Sequence, residues 1–126
     1  MSWSRSLSGF AEQVEKDLTQ KQKDMAVYAL QQIITLSPVD TGTYRGNHRV
    51  TVNSETNSYD LSRVDKVSDS TQMDGLRQIG TISKPFGTVT IQNNLPYAEA
   101  IEFGHSSQPG RAVYGAAEQS TKERFN

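Results

Sequence analysis

The stretch Ser8 to Pro38, SGFAEQVEKDLTQKQKDMAVYALQQIITLSP, decides the fold. Phe10, Val14, Leu18, Met25, Ala29 and Ile33 recur at spacings of four or near multiples of it, which draws one apolar stripe along a helix. Ser8 suits an N-cap, and Glu12 falls in the first turn, where exposed backbone N–H groups favour a negative charge. Glu15, Lys16, Lys23 and Asp24 supply the solvated opposite face. Ser37-Pro38 stops the helix, because the residue before a proline is driven out of the helical region. The expectation is a helix over 8–36, long for a chain of 126 residues.

The rest of the chain must supply what this helix packs against. RGNHRVTVN, 45–53, alternates and is rich in β-branched residues, which predicts a strand. NSETNSYDLSRVDKVSDSTQMD, 53–74, is dense in Ser, Asp, Asn and Thr and reads as a long mobile loop. Segments 79–83 and 88–92 read as two strands turning at KPFG, with Pro85 and Gly87 supplying the turn. Tyr97 to Phe103 reads as a short helix ended by Gly104, 104–110 as a loop, and Val113 to Arg124 as a closing helix. The order predicts a single α+β domain over 1–126: a long N-terminal helix packed on a small antiparallel sheet, with a short helix and a C-terminal helix.

Composition narrows the function. Thirteen basic and fourteen acidic residues are interspersed to a net charge of −1, without the basic stripe of a nucleic-acid or membrane-surface binder. The absence of cysteine removes disulfide and thiolate chemistry and fits a reducing cytoplasm. MSWSRSLSGF has no apolar run long enough for a signal peptide, and no span approaches membrane length, so a soluble intracellular product is expected. At 14.0 kDa the chain should bury about two-thirds of its unfolded surface, enough for one modest core that neighbours could complete.

Asp40-Thr41-Gly42 spells the tripeptide of aspartic proteases, whose two aspartates, one from each half, share a proton. That loop must leave a buried strand, whereas ITLSPV precedes Asp40 here, and Thr43-Tyr44 replaces the small residue usual after the glycine. Turn chemistry explains the same residues: Asp and Thr accept backbone N–H bonds and Gly permits positive φ. A homodimeric peptidase using Asp40 remains the remote alternative. Glu99, Glu102 and His105, with His48, are the conceivable metal ligands, but spacings of three and six fan around a helix instead of converging. No glycine spacing for phosphate is present. The expectation is a non-enzyme without metal or cofactor.

Two segments carry a resemblance. SPVDTGTYRGNHRVTV, 37–52, resembles the Pro-Val-Asp-Thr-Gly-x-x-Arg-x-Asn-x-x-Val signature of neck, or tail-completion, proteins of long-tailed double-stranded-DNA bacteriophages. ISKPFGTVTIQNNLPYAEAIEFGHSSQPGRAVYGAAEQ, 82–119, resembles their second signature, departing from it at Gln108-Pro109-Gly110, where no residue separates Gln from Pro. The resemblance implies a structural virion protein assembled in the host cytoplasm. It would form a homo-oligomeric ring joining the head connector to the tail, with DNA passing through the lumen without sequence-specific binding and no membrane contact. Head connector or stopper proteins and tail-tube or tail-terminator proteins would be its partners, and the tail-terminator position is the alternative placement. Asp40, Thr41, Gly42, Arg45, Asn47, Asn93, Asn94, Pro96, Tyr97, Glu102, Gly104 and Gln108 would then serve as structural turns or subunit interface. The segments 53–74 and 104–111 are expected to face partners, since loops on a rigid scaffold carry recognition.

Overall fold

Helix α1 runs from Trp3 to Leu36, 34 residues and about 50 Å at 1.5 Å per residue. It belongs to a computed structural model that describes residues 3–38, 42–65, 69–105 and 108–125. A one-turn helix α2 (Thr43–Gly46) leads into β1 (His48–Val52), and α3 (Asp69–Ile79) is the next element in the chain. Strand β2 (Val89–Asn93), α4 (Ala98–Phe103), the two-residue strands β3 (Gly104–His105) and β4 (Gln108–Pro109), and α5 (Val113–Arg124) complete the order. The architecture is the expected α+β arrangement of a long N-terminal helix, a two-stranded antiparallel sheet, a short helix and a C-terminal helix.

β1 and β2 pair antiparallel with Val50 opposite Ile91 and His48 opposite Asn93. One face of this ribbon presses Val50 against Ala26, Leu30 and Ile34 of α1 and Ile79 of α3, with Ile82 closing the cluster. A second cluster, Ile33, Tyr44, Leu95, Val113 and Ala117, joins α1 to α2, the β2–α4 connection and α5. Tyr28 and Phe125 meet edge to face at 5.8 Å, with the Arg124 guanidinium 5.1 Å from the Tyr28 ring, which fixes the end of α5 on α1.

Four expectations are corrected. The core face of α1 is Ala26, Leu30, Ile33 and Ile34, whereas Val14, Leu18 and Met25 of the expected stripe are exposed. The helix carries two apolar faces about 120° apart at 3.6 residues per turn, and the tertiary core selected only one. Segment 53–74 is not one long loop, because α3 begins within it at Asp69. Segment 79–83 is not a strand: Ile79 ends α3, and Thr81 and Ile82 bond back to Gln78 and Ile79 in a turn. Val89–Asn93 therefore pairs with His48–Val52, 37 residues or more away, instead of with a neighbouring hairpin strand. At KPFG the left-handed residue is Phe86, φ 70°, not Gly87. Gly87 is needed for space, since a Cβ there would lie 2.6 Å from Asn53 Oδ1.

Candidate functional site where the two motifs meet

The first motif folds as a tight corner between α1 and β1. Gly42 adopts φ 79°, a left-handed conformation open to glycine at no steric cost, and its carbonyl accepts both Gly46 N–H and Asp65 N–H at 2.9 Å. Arg45 Nε donates to the Ile34 carbonyl at 3.2 Å, placing a cation at the negative end of α1. Gly46 packs so closely that a Cβ would lie 2.6 Å from the Arg63 carbonyl. Asp40 and Thr41 lie outside the described residues. The chain just before them is the helical end at Leu36 followed by Ser37 and Pro38, not a buried strand of the kind a catalytic Asp-Thr-Gly loop leaves.

Asn47 is fully buried and acts as a clamp. Its Nδ2 donates to the carbonyls of Thr43 at 2.8 Å and Asp60 at 2.9 Å, and its Oδ1 accepts Asp60 N–H at 2.7 Å. From the other strand, Gln92 Oε1 accepts Thr56 N–H at 3.4 Å, and Asn94 Nδ2 donates to the carbonyls of Thr56 and Ser58. Three side-chain amides thus bond the backbone of segment 56–60 as a neighbouring strand would. Asp65 then accepts Thr71 N–H at 3.0 Å, supplying an acceptor to the otherwise unpaired first turn of α3.

The second motif closes over the first. Asn93 Nδ2 donates to the Tyr44 carbonyl at 2.9 Å while its Oδ1 accepts Leu95 N–H at 3.2 Å, so one side chain makes the turn and ties it to α2. Pro96 and Tyr97 lead into α4, with Tyr97 40% exposed, while Leu95 of the same turn is buried. Glu102 accepts the N–H groups of Tyr114 at 2.9 Å and Gly115 at 3.0 Å, neutralising unpaired donors in the first turn of α5. Gly104, φ 90°, ends α4 and pairs with Pro109, so the expected loop 104–110 carries a minimal ladder. The Gln108 side chain lies outside the described residues.

His48, considered only as a metal ligand in the sequence, is the centre of the site. Its Nε2 lies 2.7 Å from Ser37 Oγ and its Nδ1 2.7 Å from the Tyr114 hydroxyl. Ser37 Oγ also donates its proton to the Ile33 carbonyl at 2.6 Å. Having no second proton, the serine accepts, so Nε2 carries the hydrogen and Nδ1 accepts from Tyr114. Tyr44 stacks edge-on against the imidazole at 4.9 Å. Burial, reinforced by the Arg45 charge, pushes the His48 pKa down to about 3. Burial and then the Glu102 carboxylate push the Tyr44 phenol well above its usual range and so keep it protonated, and burial followed by Tyr44 and Glu102 raises Tyr114 likewise.

This assignment determines the chemistry available. Ser37 and His48 have the separation of a nucleophile and its base, but the serine proton goes to a carbonyl and the facing nitrogen is already protonated. Glu102 spends both oxygens on backbone N–H groups, and among the described residues no three of His, Asp or Glu gather as metal ligands. Beside the network lies an open cleft of about 230 Å³ lined by Tyr44, Asn93, Ala98, Glu99 and Glu102, with Phe103 at its edge, 80% exposed. The two motifs therefore build a rigid frame under an exposed aromatic. No family model, curated protein or solved structure matches the chain.

Proposed function

We propose that the chain is a structural subunit of a phage neck, assembling into a ring that joins the head connector to the tail and continues the DNA channel. The observation that carries this reading is that the two segments bearing the resemblance, far apart in sequence, hold each other in place. Asn93 binds Tyr44 across 49 positions and Tyr114 binds His48 across 66, while Glu102 and Tyr114 tie α4 to α5. The motif residues are thus the frame of the fold, as an ordered pair of signatures requires and scattered chance matches do not. A net charge of −1 is compatible with a channel wall along which phosphates slide, since a strongly basic lumen would hold them.

Electron microscopy of the purified protein, alone and mixed with head-connector particles, tests the proposal. Closed rings with an open central channel, seated coaxially on the connector, are expected. A species fixed at two copies, or no ring under either condition, would overturn it.

A further inference from the structure

We propose that the free apolar face of α1, residues 11–25, seats in the groove between α1, β2 and α5 of a second copy of this chain. The inference deepens the ring reading and rests on it for the direction of assembly; the occupant itself is argued from surface alone.

The helix has an unsupported half. Every side chain from Ala11 to Leu18 is exposed, and among the described side chains of α1 the first buried one is Ala26. Val14, Leu18 and Met25 nonetheless form an apolar line, 39%, 37% and 37% exposed. The local bonds along this half include two amide–carboxylate pairs at four-residue spacing, Gln13–Asp17 and Gln20–Asp24. Each such pair is worth about 0.2–0.5 kcal/mol, too little to hold a lone helical extension of this length firmly in water. A second apolar face on a helix that already has a core face calls for a second partner.

The body offers the matching surface. Met25, Ala29 and Ile33 of α1, Val89 and Ile91 of β2 and Ala117 of α5 contribute to an open groove of about 820 Å³. Met25 belongs to both features, so the stripe runs into the floor of the groove as one apolar surface. The groove is open and predominantly apolar, which suits the apolar anchors of a helix. Its margin carries Glu118 paired with Lys122 at 2.8 Å, and the helix is flanked by Glu15, Lys16, Asp17 and Lys21, so neither surface opposes the other with a single sign of charge.

Area argues for a second copy. The chain exposes 8236 Å². A compact monomer of 14.0 kDa exposes about 6,700 Å², so the excess is roughly 1,500 Å². A standard interface takes about 800 Å² from each partner. A subunit that gives its helix to one neighbour and its groove to the next hides about twice that, which matches the excess. Head-to-tail contact of this kind is heterologous and closes into a ring when the rotation per step allows.

The chain has no cysteine, so an engineered pair reports contact cleanly. In Leu18→Cys/Gln119→Cys the two sites lie too far apart along antiparallel α1 and α5 to bridge within one molecule, by roughly 20 Å of helix rise. Oxidation is expected to give intermolecular cross-links in a ladder beyond the dimer. A product stopping at the dimer keeps the second copy as occupant and overturns the ring; no cross-link overturns the occupant. Sedimentation of the native chain and of Leu18→Glu provides the second measurement. The substitution is at an exposed site and should leave the thermal transition of the monomer unchanged while raising the dissociation constant at least tenfold. Association unchanged in Leu18→Glu, or a native chain monomeric up to about 1 mM, overturns the proposal.

Discussion

His48 Nε2 lies 2.7 Å from Ser37 Oγ, and the serine proton is already committed to the Ile33 carbonyl, so this buried pair is a lock between the end of α1 and the start of β1. With Tyr114 on Nδ1, the same imidazole also fastens α5. Only the neutral ring fits, because a protonated Nδ1 would present a donor to the Tyr114 donor and to Asn93 Nδ2, 3.5 Å away.

The pH dependence follows from this lock. Folding lowers the His48 pKa from 6.5 to about 3, so the unfolded chain binds the extra proton between those values. The stability contributed by the neutral ring is fully present above pH 6.5 and is lost as pH falls through that window toward 3. The total is on the order of 5 kcal/mol, with a limiting slope of about 1.4 kcal/mol per pH unit. Urea unfolding of the native chain and of His48→Gln between pH 4.5 and 7 should show the native chain losing stability more steeply by about one proton. Equal slopes in the two proteins would remove His48 from the account.

Asn47 gives a second prediction. Asn47→Ala deletes a buried amide that serves Thr43 and Asp60, leaving the Asp60 N–H and two carbonyls without their partner in a part-buried corner. Unsatisfied buried groups cost about 1–3 kcal/mol each, so a total loss of about 3 kcal/mol is expected, a large share of a typical 5–15 kcal/mol. The specific signature is local. Amide exchange at Asp60 should accelerate far more than at Ile91 in β2, and a uniform acceleration at both would mean that Asn47 does not pin the 56–60 segment.

What the sequence revealed and what it hid follow from the same physics. α5 and α4 were legible because their boundaries are punctuated by glycine at Gly104 and by a polar loop before Val113. α3 was not, because its buried face is Thr71, Gly75 and Ile79, followed by Ile82 in the turn. The positions a hydrophobic pattern would count, Met73 and Leu76, are 60% and 38% exposed. A small residue buried by close approach of helices leaves no apolar period to find. The α1 stripe misled for the opposite reason: its Val14, Leu18 and Met25 are genuinely apolar but stay exposed, and only Ile33 at its end reaches the core. Asn47, Gln92 and Asn94 stood within readable motifs, yet their task of bonding a distant backbone at 56–60 depends on contacts that no local window contains. His48 could have been suspected from its inward alternation with Val50 on β1, but its partners Ser37 and Tyr114 come from two other elements.

Gly75 supplies the last prediction, because two opposing effects of known size meet there. Replacing a mid-helix glycine by alanine normally stabilises by up to about 1 kcal/mol through helix propensity. Here the new Cβ would overlap Leu30 Cδ2 and lie 3.2 Å from Val50 Cγ2, in the closest part of the α1–α3 contact. Leu30 is fully buried and cannot swing away, and overpacking of this kind costs about 1–3 kcal/mol, so Gly75→Ala should be destabilising on balance. Leu30→Ala alone should cost about 2–5 kcal/mol through its cavity. In the double variant the added methyl occupies part of the space that Leu30 leaves, so the combined loss should fall short of the sum by at least 0.5 kcal/mol, the scale of coupling between contacting residues. Denaturant melts of the four proteins decide it. A Gly75→Ala protein more stable than the native chain, or strict additivity in the double variant, would show that α3 does not rest on Leu30 as closely as this packing requires.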